Sequence, residues 1–321
     1  MTRLNAKYIP LIATALVLLA SFATGSLLYT NFGTPRVFVN LLNDMAFVGV
    51  AAVGESFAIL SGGIDLSVGS MIAFVGILIA RLLQAGCDPF LAMGIALCFG
   101  VAAGAGMGCL IHFFQLPPFL VTLAGLFCFR GLGFVIYPES IPIDHPFYSQ
   151  VLPQLSFLVA PKAVMPFTAM CFLAAVILGT FLASFTPFGR NVYAIGSSEN
   201  SARLMGIPIG RTKIAIYSLA GFFSAFAGIV ATFYMQSGNP ASFVGLELDA
   251  IASVVIGGTL LTGGVGFIPG TLMGVLILGL IQQIIIFNGT LNSWWTKIVI
   301  GALLLVFIVL QKLLARTAAQ T

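Results

Sequence analysis

A chain of 321 residues with 7% charged and 60% hydrophobic side chains, and a mean hydropathy of +1.12, is not a soluble globular domain; those carry roughly 25% charged residues. The net charge of +4 bears on membrane topology and not on nucleic acid, because the basic residues lie scattered among apolar runs and form no stripe for a phosphate backbone. At about 20 residues per helical crossing, the length accommodates about ten spans in a single transmembrane domain covering 1–321.

Arg3 and Lys7 precede an apolar run from Ile9 to Leu28. That run exceeds the roughly 7–15 residues of a signal-peptide core, so it reads as an uncleaved first span near 9–29. Hydropathy predicts further spans near 45–60, 67–83, 90–113, 118–137, 164–185, 214–236, 249–262, 267–287 and 294–311. The second and the eighth are short for a straight crossing, which predicts broken or tilted helices near the centre of an all-α polytopic bundle. Orientation follows from Lys and Arg placement. With ten spans, Arg3, Lys7, Arg190, Arg203, Arg211, Lys213, Lys312 and Arg316 fall on one side, and only Arg36, Arg81 and Lys162 on the other. The richer side is cytoplasmic and holds both termini.

The second and third spans are joined by Ser61-Gly62-Gly63-Ile64-Asp65-Leu66-Ser67-Val68-Gly69-Ser70. Unsatisfied backbone groups cost several kcal/mol in lipid, so a polar break is tolerated only where it is buried in protein or lines a water-filled path. Gly62-Gly63 supplies a turn, and Asp65 or Ser67 is expected to cap the next helix. A weak echo occurs at constant offset: Leu260-Leu261-Thr262-Gly263-Gly264 with Gly270-Thr271 repeats Ile59-Leu60-Ser61-Gly62-Gly63 with Gly69-Ser70. Transporters often carry repeats whose broken helices meet at the substrate path. Small residues recur every fourth position at Gly100, Gly104 and Gly108, at Ala220, Ser224 and Gly228, and at Gly266, Gly270 and Gly274, a spacing for close helix packing.

Two connections stand out. The external stretch 138–163 contains Pro138, Pro142, Pro146, Pro153 and Pro161, and reads as a stiff, extended surface segment. The internal stretch 186–213 predicts a short helix over 199–205, with Ser198 as N-cap, Glu199 and Arg203 as an i,i+4 pair, Gly206 at the C-terminus and Pro208 beyond it. A bare topogenic loop needs the charges but not the capped helix, so this element reads as a docking site for a cytoplasmic partner.

Intramembrane ionisable residues are few: Glu55, Arg130 and Asp65, with Lys297 near a span end where it can snorkel. Such groups face the bundle interior or a cavity, and two readings of Glu55 stand side by side. Its carboxylate accepts hydrogen bonds from a hydroxyl-bearing substrate in a path that includes Ser56, Ser61, Asp65, Ser67 and Arg130; or it pairs with Arg130 and only holds helices together. No Gly-Lys dipeptide and no HExxH motif occurs, and His112 and His145 lie far apart, so neither an ATP site, a metal site nor a catalytic site is expected. Cys87, Cys98, Cys109, Cys128 and Cys171 form no C-x-x-C pair and read as small core hydrophobes.

The stretch Ala52-Val53-Gly54 … Ile59 to Ser70 resembles the signature of permease subunits of ribose/galactose-type sugar ABC importers. Similar matches are Leu123-Ala124-Gly125 … Arg130-Gly131, Phe188-Gly189-Arg190 … Ala202 … Met205-Gly206-Ile207, and Glu247 through Thr259. Glu139 to Ile143 and Ser293 to Ile298 resemble galactofuranose-importer permeases in particular. The resemblance implies an inner-membrane pore subunit without cofactors, working by alternating access. It further implies cytoplasmic ATPases docked on Gly189, Arg190, Glu199, Ala202, Arg203 and Gly206, a second and different permease, and a periplasmic sugar-binding protein. Relatives usually carry Met or Gln at the position of Glu55, which leaves that residue a role in tuning for substrate. Two alternatives remain open: a self-contained secondary transporter, and an ABC permease for branched-chain amino acids or a signalling molecule.

Overall fold

The computed structural model describes residues 9–160, 163–289 and 294–319. Arg3, Lys7 and Lys162, used above for orientation, lie outside them, as do the side chains of Lys312 and Arg316. In chain order come α1 (Ile9–Leu28), α2 (Pro35–Asp44), α3 (Ala46–Leu60), α4 (Val68–Gln84), α5 (Pro89–Phe113) and α6 (Pro118–Ile136). A folded connection follows, with β1 (Ile141–Pro142), a π-helical turn at Phe147–Val151, α7 (Leu152–Gln154), β2 (Phe157–Ala160) and β3 (Ala163–Met165). Then come α8 (Phe167–Phe185), α9 (Pro187–Ser197), α10 (Glu199–Leu204), α11 (Ile209–Met235) and β4 (Ser237–Gly238). The chain finishes with α12 (Leu246–Ile256), α13 (Ile268–Asn288) and α14 (Trp294–Ala319).

Each expected span coincides with a helix, although α12 stops at Ile256, where Gly257 and Gly258 follow. Among the described residues six helices, α1, α5, α6, α8, α11 and α13, are long and apolar enough to cross a membrane. The pair α2 and α3, bent by 58°, makes a seventh. Length and apolarity alone thus support six or seven crossings, while α4, α12 and the apolar stretch Trp294–Phe307 of α14 are shorter. Proline opens several helices at a position whose N–H needs no partner. Asp88 caps α5 by accepting from the amides of Phe90 and Leu91 at 2.9 and 3.2 Å.

The axis of the bundle is α3, in which every residue except Phe47 is buried. A helix apolar all round belongs inside protein, and α11, α8, α12 and α13 surround it. Outward, Leu16, Leu19, Phe127, Val135, Ile177 and Phe185 are exposed, an apolar skin suited to lipid. The closest long contact joins α5 to α11. A Cβ at Gly100, Gly104 or Gly108 would strike the α11 backbone at Gly221, Tyr217 or Ile214. Without a hydrophobic drive between helices in lipid, such backbone approach provides the dispersion contact that holds the pair.

The proline-rich connection is not the extended surface segment expected of it. Ile141 and Pro142 pair antiparallel with Gly238 and Ser237, and the Ile143 amide donates to the Gln236 carbonyl at 2.8 Å. Tyr148 is 1% exposed, and its hydroxyl shares a 3.1 Å hydrogen bond with that of Thr232. The prolines stop regular structure, but Ile141, Ile143 and Tyr148 between them gain by burial and pull the segment onto the end of α11.

Candidate functional site

The break between α3 and α4 is central in cross-section and off-centre in depth. Tyr217, which abuts it, lies about 12 Å along an α11 that is about 40 Å long, on the side of α9 and α10. Gly62 has φ +83°, a conformation that strains other residues, and the Gly63 amide closes the α3 terminus on the Ala58 carbonyl at 2.9 Å. Asp65 Oδ1 accepts from the Ser67 amide at 2.8 Å and from Ser67 Oγ at 2.6 Å. This is a turn closed two residues on, so the expected cap on α4 is not formed: Ser67 occupies the N-cap position without a side-chain bond to the helix. The Asp65 amide donates to Glu55 Oε1 at 3.1 Å. Thr122 of α6 donates to the Ile64 carbonyl at 3.2 Å.

Most of the hydroxyls proposed for the path are taken up by the fold. Ser61 Oγ bonds the Ala58 carbonyl at 2.8 Å; Ser56 Oγ bonds the Ala52 carbonyl at 2.7 Å and meets Thr271 Oγ1 of α13 at 2.8 Å. Of the six buried side-chain oxygens without a partner among the described residues, three are at the break: Glu55 Oε2, Asp65 Oδ2 and Tyr217 Oη. They belong to one neighbourhood, since a Cβ on Gly63 would run into Tyr217 Oη and the tyrosine feels the charge of both acids. Tyr217 gave no signal in the sequence, because a lone tyrosine in an apolar helix reads as core.

The Glu55–Arg130 ion pair is not formed. Arg130 Nη1 instead donates to the carbonyls of Pro240 at 2.6 Å and Ser242 at 2.5 Å, with Glu247 as its neighbouring opposite charge. Carbonyls are what the guanidinium fork finds, because residues 238–242 cross its face after α11 ends. Arg130 therefore fixes a loop and stands apart from the break.

The echo is a structural one. The second break, 257–267, meets the first: the Gly264 amide donates to the Leu60 carbonyl at 2.9 Å, and Gly263, also at φ +83°, abuts Gly62. A helix absent from the sequence reading covers both. Thr186 caps α9 through the Gly189 amide at 3.2 Å, Pro187 opens it, and its Gly196 lies against the Leu60 carbonyl and the Gly264 amide. Tyr193 Oη donates to the Gly266 carbonyl at 2.9 Å, and burial pushes its phenol up from the ordinary range. The next helix, α10, is capped by Ser198, which accepts from the Ser201 amide at 3.3 Å. Glu199 pairs with Arg203 at 3.5 Å and, more closely, with Lys213 of α11 at 2.7 Å. Gly206 ends it at φ +78°.

The six expected docking residues divide by exposure. Gly189 and Ala202 are buried, Ala202 packing with Ile195 and Ile209, and so hold the element to the bundle. Arg190, Arg203 and Gly206 are exposed and Glu199 half-buried. Beside them lies an open groove of about 430 Å³ lined by His112, Gln115, Glu199, Arg203 and Lys213. Among the described residues no group of three or more His, Cys, Asp or Glu side chains is arranged to hold a metal.

Residues 37–308 match the family described as branched-chain amino acid transport system / permease component. The chain is 49% identical to the inner membrane ABC transporter permease protein YjfF of Escherichia coli (strain K12), over 95% of this chain and 92% of that protein. It is 41% identical to the ribose import permease protein RbsC of Bacillus subtilis (strain 168), over 89% and 88%. It is 36% identical to the fructose import permease protein FruG of Bifidobacterium longum (strain NCC 2705), over 97% and 92%. No solved structure matches.

Proposed function

We propose that this chain, which belongs to the family of branched-chain amino acid transport system permease components, forms the membrane path of an ATP-driven importer for a monosaccharide. The contact of α9 with both helix breaks carries the reading. A helix held at the bundle edge by Gly189, and joined to the charged α10 whose Ala202 packs on its Ile195, bears directly on the two irregular segments of the interior. A push on α10 moves both joints. Their movement parts Asp65 from Glu55 and bares Glu55 Oε2, Asp65 Oδ2 and Tyr217 Oη, oxygens that match sugar hydroxyls. Ser56, Ser61 and Ser67 support that route, and Arg130 steadies its far wall.

The permease itself is non-catalytic, and ATP hydrolysis belongs to a separate subunit. Cytoplasmic ATPases on Arg190, Glu199, Arg203 and Gly206, a second permease of different sequence and a periplasmic binding protein complete the proposed assembly. Sugar is the favoured cargo because relatives over nearly the whole chain are named for ribose and fructose import. Galactofuranose is the proposed sugar, on the resemblance of 139–143 and 293–298. The family description keeps branched-chain amino acids as a second reading, which identification of the ligand on the partner binding protein decides.

Replacing Arg203 and Lys213 together by Glu reverses the charge at the groove. In the reconstituted importer, basal ATP hydrolysis should persist while sugar uptake falls at least about tenfold, the scale of one lost charged contact. Uptake at the parental rate would reject the docking role. Uptake by the permease without any ATPase would reject the ATP-driven reading.

A further inference from the structure

Away from both breaks, a cavity of about 160 Å³ lies between α4, the last turns of α11 and the segment 236–243. It sits at the end of α11 opposite α10, about 40 Å away. A single water needs about 10–15 Å³ of such space, so the cavity admits a small solute. The segment that walls it is held under strain. Gln236 at φ +50° and Phe243 at φ +64° bracket it, and a left-handed conformation is an outlier for a bulky residue such as Phe. The surroundings impose it: the pairing of Ser237 and Gly238 with β1 fixes one end, and Arg130 grips the carbonyls of Pro240 and Ser242 at the other. Strained segments kept in place by such restraints cluster at ligand sites.

The lining is half polar and carries no charge. Ser140, Ser237 and Ser242 present hydroxyls that make no hydrogen bond within the protein, and Asn239 spends its Oδ1 on the Ala241 amide at 2.8 Å while its Nδ2 stays unpaired. The Phe243 ring adds an apolar surface. An amino acid would need one charge for its carboxylate and another for its ammonium, and no charged side chain lines the cavity. A neutral solute with several hydroxyls finds donors and acceptors on three sides and an aromatic group for its C–H face. We infer that this cavity is a binding subsite for a neutral monosaccharide, the first held position of the cargo, on the face opposite the docking helix. The inference rests on the sugar reading above and adds the site.

The test is uptake of radiolabelled ribose, fructose and galactofuranose by the complete importer in proteoliposomes. Ser140→Ala with Ser242→Ala should raise KM about tenfold or more at unchanged maximal rate, the scale of lost hydrogen bonds in a binding site. Gly76→Leu supplies a second variant, independent of hydroxyls: a Cβ there meets nothing nearer than 3.8 Å, so the added side chain extends into the cavity. It should abolish uptake with complex yield retained. Parental KM in the double variant, with the parent importing a sugar, overturns the subsite alone. A parent that imports leucine and none of the three sugars overturns the function and the subsite together.

Discussion

Gly63 and Tyr217 show how one contact between distant residues decides the packing at the break. The glycine is required by the hydroxyl opposite, since a methyl group at position 63 would overlap Tyr217 Oη. Gly63→Ala should therefore cost about 1–3 kcal/mol as overpacking. Tyr217→Phe removes a buried hydroxyl that has no partner and should be close to neutral. The two together should lose much less than Gly63→Ala alone, because the phenyl ring leaves room for the methyl; thermal unfolding in detergent measures the cycle. Additive effects would show that the two residues are not coupled. The sequence marked Glu55 and Asp65 as rare ions in oil, and these two meet through the Asp65 amide. It did not reveal that Arg130 faces residues 240–242, because spacing along a chain carries no information on which loop crosses a guanidinium.

Helices were legible as elements because apolar runs and prolines delimit them: α1, α5 and α6 begin and end within about two residues of their expected bounds. The capped α10 was legible for the same reason, from Ser198 to Gly206. The preceding α9 was not, since a proline and a glycine two residues apart are usual helix breakers, whereas Pro187 opens this helix and Gly189, inside it, lies against the Ala183 carbonyl. This helix is tied to the second break by the Tyr193 hydroxyl. Tyr193→Phe should lower stability by about 1 kcal/mol. The bond also has a pH signature. The phenol is raised by burial, so its contribution is complete below the ordinary tyrosine value of about 10 and is lost as pH climbs through the raised folded value. The parent should lose stability over that alkaline window, and Tyr193→Phe should lose less. Equal alkaline losses in the two proteins would show that the bond does not support the fold.

At the scale of the whole molecule, α10 and the polar cavity lie at opposite ends of α11. A permease working across a membrane must present these ends to opposite compartments. Single cysteines at Ser201 and at Ser149, introduced after replacing the five native ones, should label with a membrane-impermeant maleimide from opposite sides, Ser201 from the cytoplasm; labelling of both from one side would contradict the orientation set by Lys and Arg. A further consequence concerns α9 and the paired breaks. Gly62 abuts Gly263, the Gly264 amide is bonded to the Leu60 carbonyl, and Gly196 is wedged against both. Each joint is packed against the other, so displacing one presses on the second. In the proposed cycle the two joints move as one, like a latch with one bolt through two hasps. A stroke delivered to α9 in that cycle reaches both joints together, which disfavours a half-open state that would leak solute down its gradient.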